Sequence, residues 1–127
     1  MLLNYGAYET VPRPSHERYD GAGYMLTAEE MRGFWALYLG GAESPLATPL
    51  RARLEGLPPA FLCIAQCDIL ADENRELARR LVAAGVATTV RDYPGATHSF
   101  LEAVSISGLA QRALDEAAAW LAGSFGL

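Results

Sequence analysis

Asp68 and His98 have the residue types and the spacing for acid–base chemistry. Asp68 follows an apolar run over residues 60–65, and His98 lies in a Pro/Gly-punctuated loop one strand–helix–strand unit later. A carboxylate beside an imidazole fixes its tautomer and stabilises the protonated ring, which is what a histidine needs to take a proton from a hydroxyl nucleophile. Each residue alone has a plainer reading. An Asp after a strand is a turn residue or a helix cap, and a loop His is exposed. The other reactive side chains have simple explanations. Cys63 and Cys67 stand four apart; on a strand they share one face but lie too far apart for a disulfide. They read as two reduced thiols in a cytosolic protein. Cys67 adjoins Asp68, yet a buried thiol is a simpler reading than a nucleophile. His16, in a Pro-rich loop, reads as a surface residue. Asp72 and Glu73 offer a second carboxylate pair, but a helix N-terminus favours acids there for its dipole, and that is the preferred reading.

The elements that must position these groups alternate along the chain. Residues 1–5 read as a short strand, and 9–24 as a loop marked by Pro12, Pro14, Gly21 and Gly23. Thr27 and Glu30 form a capping box. The helix behind it carries Met31, Phe34, Trp35, Tyr38 and Leu39 at helical spacing, and Gly40 and Gly41 stop it. The run 60–65 suits a strand buried on both faces. A helix fits 72–84, with Leu77, Leu81 and Val82 as its apolar stripe, Gly85 past its end and Val86 as the hydrophobic contact of the cap. A β-branched strand starts at Thr88 and ends at Pro94-Gly95. The last helix covers about 107–122 and buries Leu109, Ala113, Leu114, Ala117, Trp120 and Leu121. The alternation implies an α/β fold of three layers, with a parallel sheet of about three strands. In such sheets reacting groups gather at the carboxyl ends of the strands. Adjacent strands then set the loops bearing Asp68 and His98 side by side.

Composition narrows the function classes. The chain has 127 residues, 51% hydrophobic and 20% charged, as in a globular domain and unlike a disordered one. One domain over 1–127 should bury roughly two-thirds of its unfolded surface. That length is too short for a complete large α/β enzyme. Ten basic residues, all Arg, face 15 acidic ones, for a net charge of −5. An acidic chain lacks the basic footprint that nucleic acid requires. No apolar run approaches the ~20 residues of a membrane span. Residues 1–8 carry no basic leader and no small-residue cleavage site, so the expected location is the cytoplasm.

Several motifs together resemble one family. Leu57-Pro58-Pro59-Ala60 resembles the entry into the penultimate strand of hormone-sensitive-lipase-type α/β-hydrolase esterases. Asp68-Ile69-Leu70-Ala71-Asp72-Glu73 resembles that family's Asp-Pro-Leu-x-Asp-Glu turn, and Ala83-Ala84-Gly85-Val86 its helix end. The segment from Tyr93 to Phe100 resembles its Tyr-x-Gly-x-x-His-Gly-Phe. Gly23-Tyr24-Met25-Leu26-Thr27, the aromatic helix and Ser44-Pro45-Leu46 also fit. The resemblance covers nearly the whole chain and implies the C-terminal part of an α/β-hydrolase fold, starting at the strand after the nucleophile helix. It implies Asp68 as triad acid and His98 as triad base, with a small ester as substrate and no cofactor or metal. Three positions depart from the pattern. Ile69 replaces Pro, Asn74 replaces Gly, and Ser99 replaces Gly beside the base, where its side chain is expected to crowd the pocket slightly.

An absence matters more. The family's nucleophilic Ser sits before the acid on a Gly-x-Ser-x-Gly turn. Before Asp68 this sequence offers only Ser15, between Pro14 and His16, and Ser44, between Glu43 and Pro45. Neither is such a turn, and the His-Gly-Gly-Gly-type loop that supplies oxyanion donors is missing too. The chain is thus expected to carry two triad members, no nucleophile, and no activity alone. Its partner is then a missing N-terminal half. The alternative is a non-catalytic remnant that self-associates as a homodimer or higher oligomer, covering an unpaired sheet edge or the aromatic helix. The Phe34, Trp35 and Tyr38 stripe either lines an acyl or alcohol pocket or is ordinary core or interface, with part of it facing a partner.

Overall fold

The computed structural model describes residues 1–42 and 44–126. Three parallel strands form one sheet in the order β1-β2-β3: β1 (Leu2–Asn4), β2 (Ala60–Cys67) and β3 (Thr88–Thr97). The helices are α1 (Pro14–Arg18), α2 (Ala28–Leu39), α3 (Ala71–Ala83) and α4 (Gly108–Phe125).

The central strand makes the core. Ala60 to Ala65 are each at most 1% exposed, as a strand covered on both faces requires. Side-chain alternation divides them. Ala60, Leu62 and Ile64 pack with Leu77, Ala78 and Leu81 of α3, while Phe61, Cys63 and Ala65 pack with Ala110, Ala113 and Ala117 of α4. The result is helix, sheet, helix: the three expected layers. Phe61, Leu62 and Ile64 each contribute roughly 1.5–3 kcal/mol by this burial.

The helix ends follow the residues that cap them. Thr27 accepts from the Glu30 amide at 3.2 Å, and Glu30 accepts from the Thr27 amide at 2.9 Å. Behind α3, the Val86 amide donates to Leu81 O and the Gly85 amide to Val82 O, both at 3.0 Å, with Gly85 at φ +77. This is a full Schellman cap, and Val86 is buried in it. Ser107 caps α4 by accepting from the Ala110 amide.

Several expectations are corrected. The 9–24 segment is not all loop: α1 begins at Pro14, a favoured first helical residue. β3 does not end at Pro94-Gly95 but runs to Thr97. It is the sheet's edge strand, where a proline costs no ladder bond. The extra residues bulge, since Tyr93 pairs with Ala65 and the next pair is Thr97 with Cys67. Gly95 takes φ +76 there, and its amide donates to the Gln66 side chain at 3.0 Å. On α4 the small residues, not Leu114, face the sheet, because Phe61, Tyr93 and Phe100 already fill that face. Val82 is exposed as well. α3 instead buries Glu73 and Asn74 beside Leu77, Ala78 and Leu81.

Glu73 therefore does more than serve the helix dipole. It is fully buried, and its Oε1 accepts the Tyr8 amide at 2.5 Å. Asn74 Nδ2 donates to Gly6 O and Leu70 O, both at 2.8 Å. Together the two side chains tie the segment after β1 to α3. Burial pushes the Glu73 carboxyl up to about 8, against 4.5 ordinarily. Between those values the folded chain holds a proton that the unfolded chain has released. Stability therefore falls as pH rises through that window, by up to about 1.4 kcal/mol per pH unit. Urea unfolding at pH 5, 6.5 and 8 should show this slope in the parent chain, and Glu73→Gln should flatten it. Equal slopes in the two proteins would refute the assignment.

Candidate active site

Asp68 follows the last residue of β2 and His98 the last residue of β3. Because these strands are neighbours and parallel, both residues emerge at the same, carboxyl end of the sheet. His98 Nδ1 lies 2.8 Å from Asp68 Oδ2. A carboxylate oxygen only accepts, so Nδ1 carries the proton and donates it, which leaves Nε2 as the basic nitrogen. Asp68 is buried, and its Oδ1 accepts the Leu70 amide at 2.9 Å. The acid is thus held by its own turn on one oxygen and by the imidazole on the other. The His98 side chain keeps 21% exposure. Among the described residues, its Nε2 has no hydrogen-bond partner.

Further contacts hold the two turns in place. Ser15 is buried, its Oγ donates to Ile69 O at 2.5 Å, and its amide donates to Asp72 Oδ2 at 2.9 Å. It is a strut between α1 and the acid turn, not a reacting hydroxyl. Ile69 is itself fully buried beside Leu26 and Leu70, so this departure from the family's Pro fills core. Asn74, another departure, makes the two hydrogen bonds described above. Ser99 stands at φ +58, the left-handed region. The family's Gly there is explained by backbone conformation rather than pocket space, and a serine costs roughly 1–2 kcal/mol in that region. After it, Phe100 anchors the turn 100–103 under α4.

The remaining candidates take no part in the Asp68–His98 hydrogen bond, although Cys67 adjoins Asp68 and is half-buried rather than buried. Burial pushes the Cys63 thiol up to about 12, with the Glu116 charge adding to it, so it is a poor nucleophile at neutral pH. Cys63 and Cys67 are both free thiols. His16 is half-buried rather than on the surface, and its Nδ1 accepts the Arg13 amide at 3.1 Å. Burial holds its pKa below the ordinary histidine value. Asp72 and Glu73 do not form a pair: Asp72 meets Ser15 and Arg75, whereas Glu73 points inward. Among the described residues, no group of three or more His, Cys, Asp or Glu side chains is placed to hold a metal ion. Among the described residues no helix is long and apolar enough to cross a membrane. Two residues of the site were not singled out by sequence. Gln66 pins the β3 bulge that delivers His98. Tyr5, just past β1, sets its ring edge-on to the His98 ring at 5.0 Å. An aromatic at the carboxyl end of a strand is the only signal the sequence offers for Tyr5.

The aromatic helix α2 has no buried residue. Phe34, Leu37 and Tyr38 are exposed. With the 46–49 segment the helix borders an open groove of about 400 Å³.

Residues 1–102 match the α/β hydrolase fold family. The chain is 38% identical over 98 residues to ethyl acetate hydrolase of Pseudomonas putida, which covers 74% of this chain and 30% of that protein. It is 36% identical over 93 residues to carboxylic ester hydrolase LipN of Mycobacterium tuberculosis, covering 69% and 25%. The hyperthermophilic esterase of Pyrobaculum calidifontis superposes with a TM-score of 0.85 at 33% identity, over 93% of this chain and 40% of that one. The chain thus spans a quarter to two-fifths of the length of these relatives. By these matches the chain belongs to the α/β hydrolase fold family, alongside carboxylic ester hydrolases.

Proposed function

We propose that residues 1–127 are the acid–base portion of a serine carboxylesterase acting on small esters. The observation that carries this reading is the Asp68–His98 hydrogen bond with Nε2 unpartnered and partly exposed. In the completed enzyme a serine from the part of the fold outside this chain attacks the ester carbonyl. His98 Nε2 takes its proton and later returns it to the leaving alcohol, while Asp68 orients and stabilises the ring. Three features support a nucleophile from outside. The sequence contains no Gly-x-Ser-x-Gly turn, Ser15 is locked as a strut, and the Cys63 thiol stays protonated. The reading needs no cofactor. A cytoplasmic location belongs to the same proposal, supported by two free thiols.

The purified chain should not hydrolyse a short acyl nitrophenyl ester above the uncatalysed rate. Turnover in the parent that His98→Ala abolishes would mean that the chain holds its own nucleophile. Turnover that survives His98→Ala would remove His98 from the role given to it.

A second reading concerns the chain by itself. Among the described residues β1 pairs on one side only, with β2, and α2 leaves Phe34, Leu37 and Tyr38 exposed. An open edge beside exposed aromatics favours association. The occupant we assign in the isolated chain is a second copy. Light scattering at low concentration should give a dimer or a higher oligomer, and a stable dilute monomer would contradict this.

A further inference from the structure

We infer that Tyr5 is a positioning residue for His98: its ring braces the imidazole so that Nδ1 stays on Asp68 and Nε2 stays aimed out of the site. The inference rests on the acid–base role proposed for His98. One hydrogen bond, from Nδ1 to Asp68, fixes a single atom of the imidazole and leaves the ring free to swing about it. A second contact is needed to fix its plane. Tyr5 makes that contact. Its ring meets the His98 ring edge-on, with centroids 5.0 Å apart and planes at 64°. It also meets Phe100 at 6.0 Å and 60°. Tyr5 thus spans the residues on either side of Ser99 and clamps the turn that follows β3.

The backbone of Tyr5 supports a dedicated role. Its amide donates to Cys63 O at 2.9 Å, which extends the β1–β2 ladder by one residue. Its φ is +35, an uncommon conformation for a residue with a side chain. Strain of this kind persists where the surroundings impose it, and it gathers at functional sites. Here it occurs just past the carboxyl end of β1, beside β2, which delivers Asp68. Burial first, with the nearby carboxylates Glu102 and Asp68 adding to it, raises the phenol's pKa above its ordinary value. The ring therefore brings no charge that would compete with Asp68 for the Nδ1 proton.

The test reads the His98 Nδ1 proton by nuclear magnetic resonance in this chain, labelled with ¹⁵N. In the unmodified chain that proton should exchange slowly with water, and Asp68→Asn should abolish the protection. Tyr5→Phe keeps the ring and should leave exchange unchanged. Tyr5→Leu keeps apolar bulk without a ring and should speed exchange about fivefold, the scale of one edge-to-face contact. Cross-relaxation between the Tyr5 and His98 ring protons should also be present in the unmodified chain, so the question is decided even if Tyr5→Leu does not fold. Unchanged exchange in Tyr5→Leu, equal acceleration in Tyr5→Phe, or missing cross-relaxation each overturns the bracing role while leaving the Asp68–His98 pair intact. Protection that survives Asp68→Asn overturns the pair itself, and the bracing role with it.

Discussion

A hydrogen bond of 2.8 Å between His98 Nδ1 and Asp68 Oδ2 gives the arrangement of the chain its point. It joins residues brought together by one complete crossover, from β2 through α3 to β3. Neither residue could hold the other if the strands were not adjacent, parallel and in register. The register is kept by the ladder from Ala60–Thr88 to Ala65–Tyr93. Past that point the ladder alone does not place His98. The bulge at Gly95, held by Gln66, resets the strand so that Thr97 meets Cys67 and His98 leaves beside Asp68.

β2 supports this by being buried on both faces. Its alternating side chains divide the apolar core into an α3 side and an α4 side. On the α3 side, Ile69 and Leu70 sink the acid turn into a small cluster with Leu26. On the α4 side, Phe100 sinks the turn behind His98. The polar ties run the same way: Ser15, Glu73 and Asn74 connect the segment after β1 to the start of α3. Acid and base are therefore fixed from opposite faces of one sheet, and the Asp68–His98 bond bridges the two halves.

Much of this was legible in the sequence. Period and punctuation located the buried strand, the capping box at Thr27 and the Gly85 cap, because these depend on residues near one another in the chain. The meeting of Asp68 and His98 was legible because their spacing matched one crossover. What escaped were features decided across the sheet. Pro94-Gly95 reads locally as a strand end, yet an edge strand absorbs both residues in a bulge. Leu114 has the right period for burial, but Ala110, Ala113 and Ala117 face the sheet there, flanked by Leu109 and Trp120. Glu73 looks like a first-turn acid, and its burial depends on the Tyr8 amide 65 residues away. Ser99 looks like a matter of pocket space, whereas its φ of +58 makes it a matter of backbone conformation.

Tyr5, just past β1, lies against His98, and the other edge of β1 pairs with nothing among the described residues. The relatives are more than twice as long as the segment they share with this chain. The central claim is that Asp68 and His98 form a working acid–base pair when a nucleophile is supplied. The most direct measurement uses a chimera in which residues 1–127 replace the matching segment of Pseudomonas putida ethyl acetate hydrolase. Its kcat on a short-chain ester would be compared with that of the same chimera carrying Asp68→Asn. The account predicts turnover in the chimera and a loss of about 10⁴-fold in kcat on removing the carboxylate. A folded chimera without turnover, or one indifferent to Asp68→Asn, would contradict it.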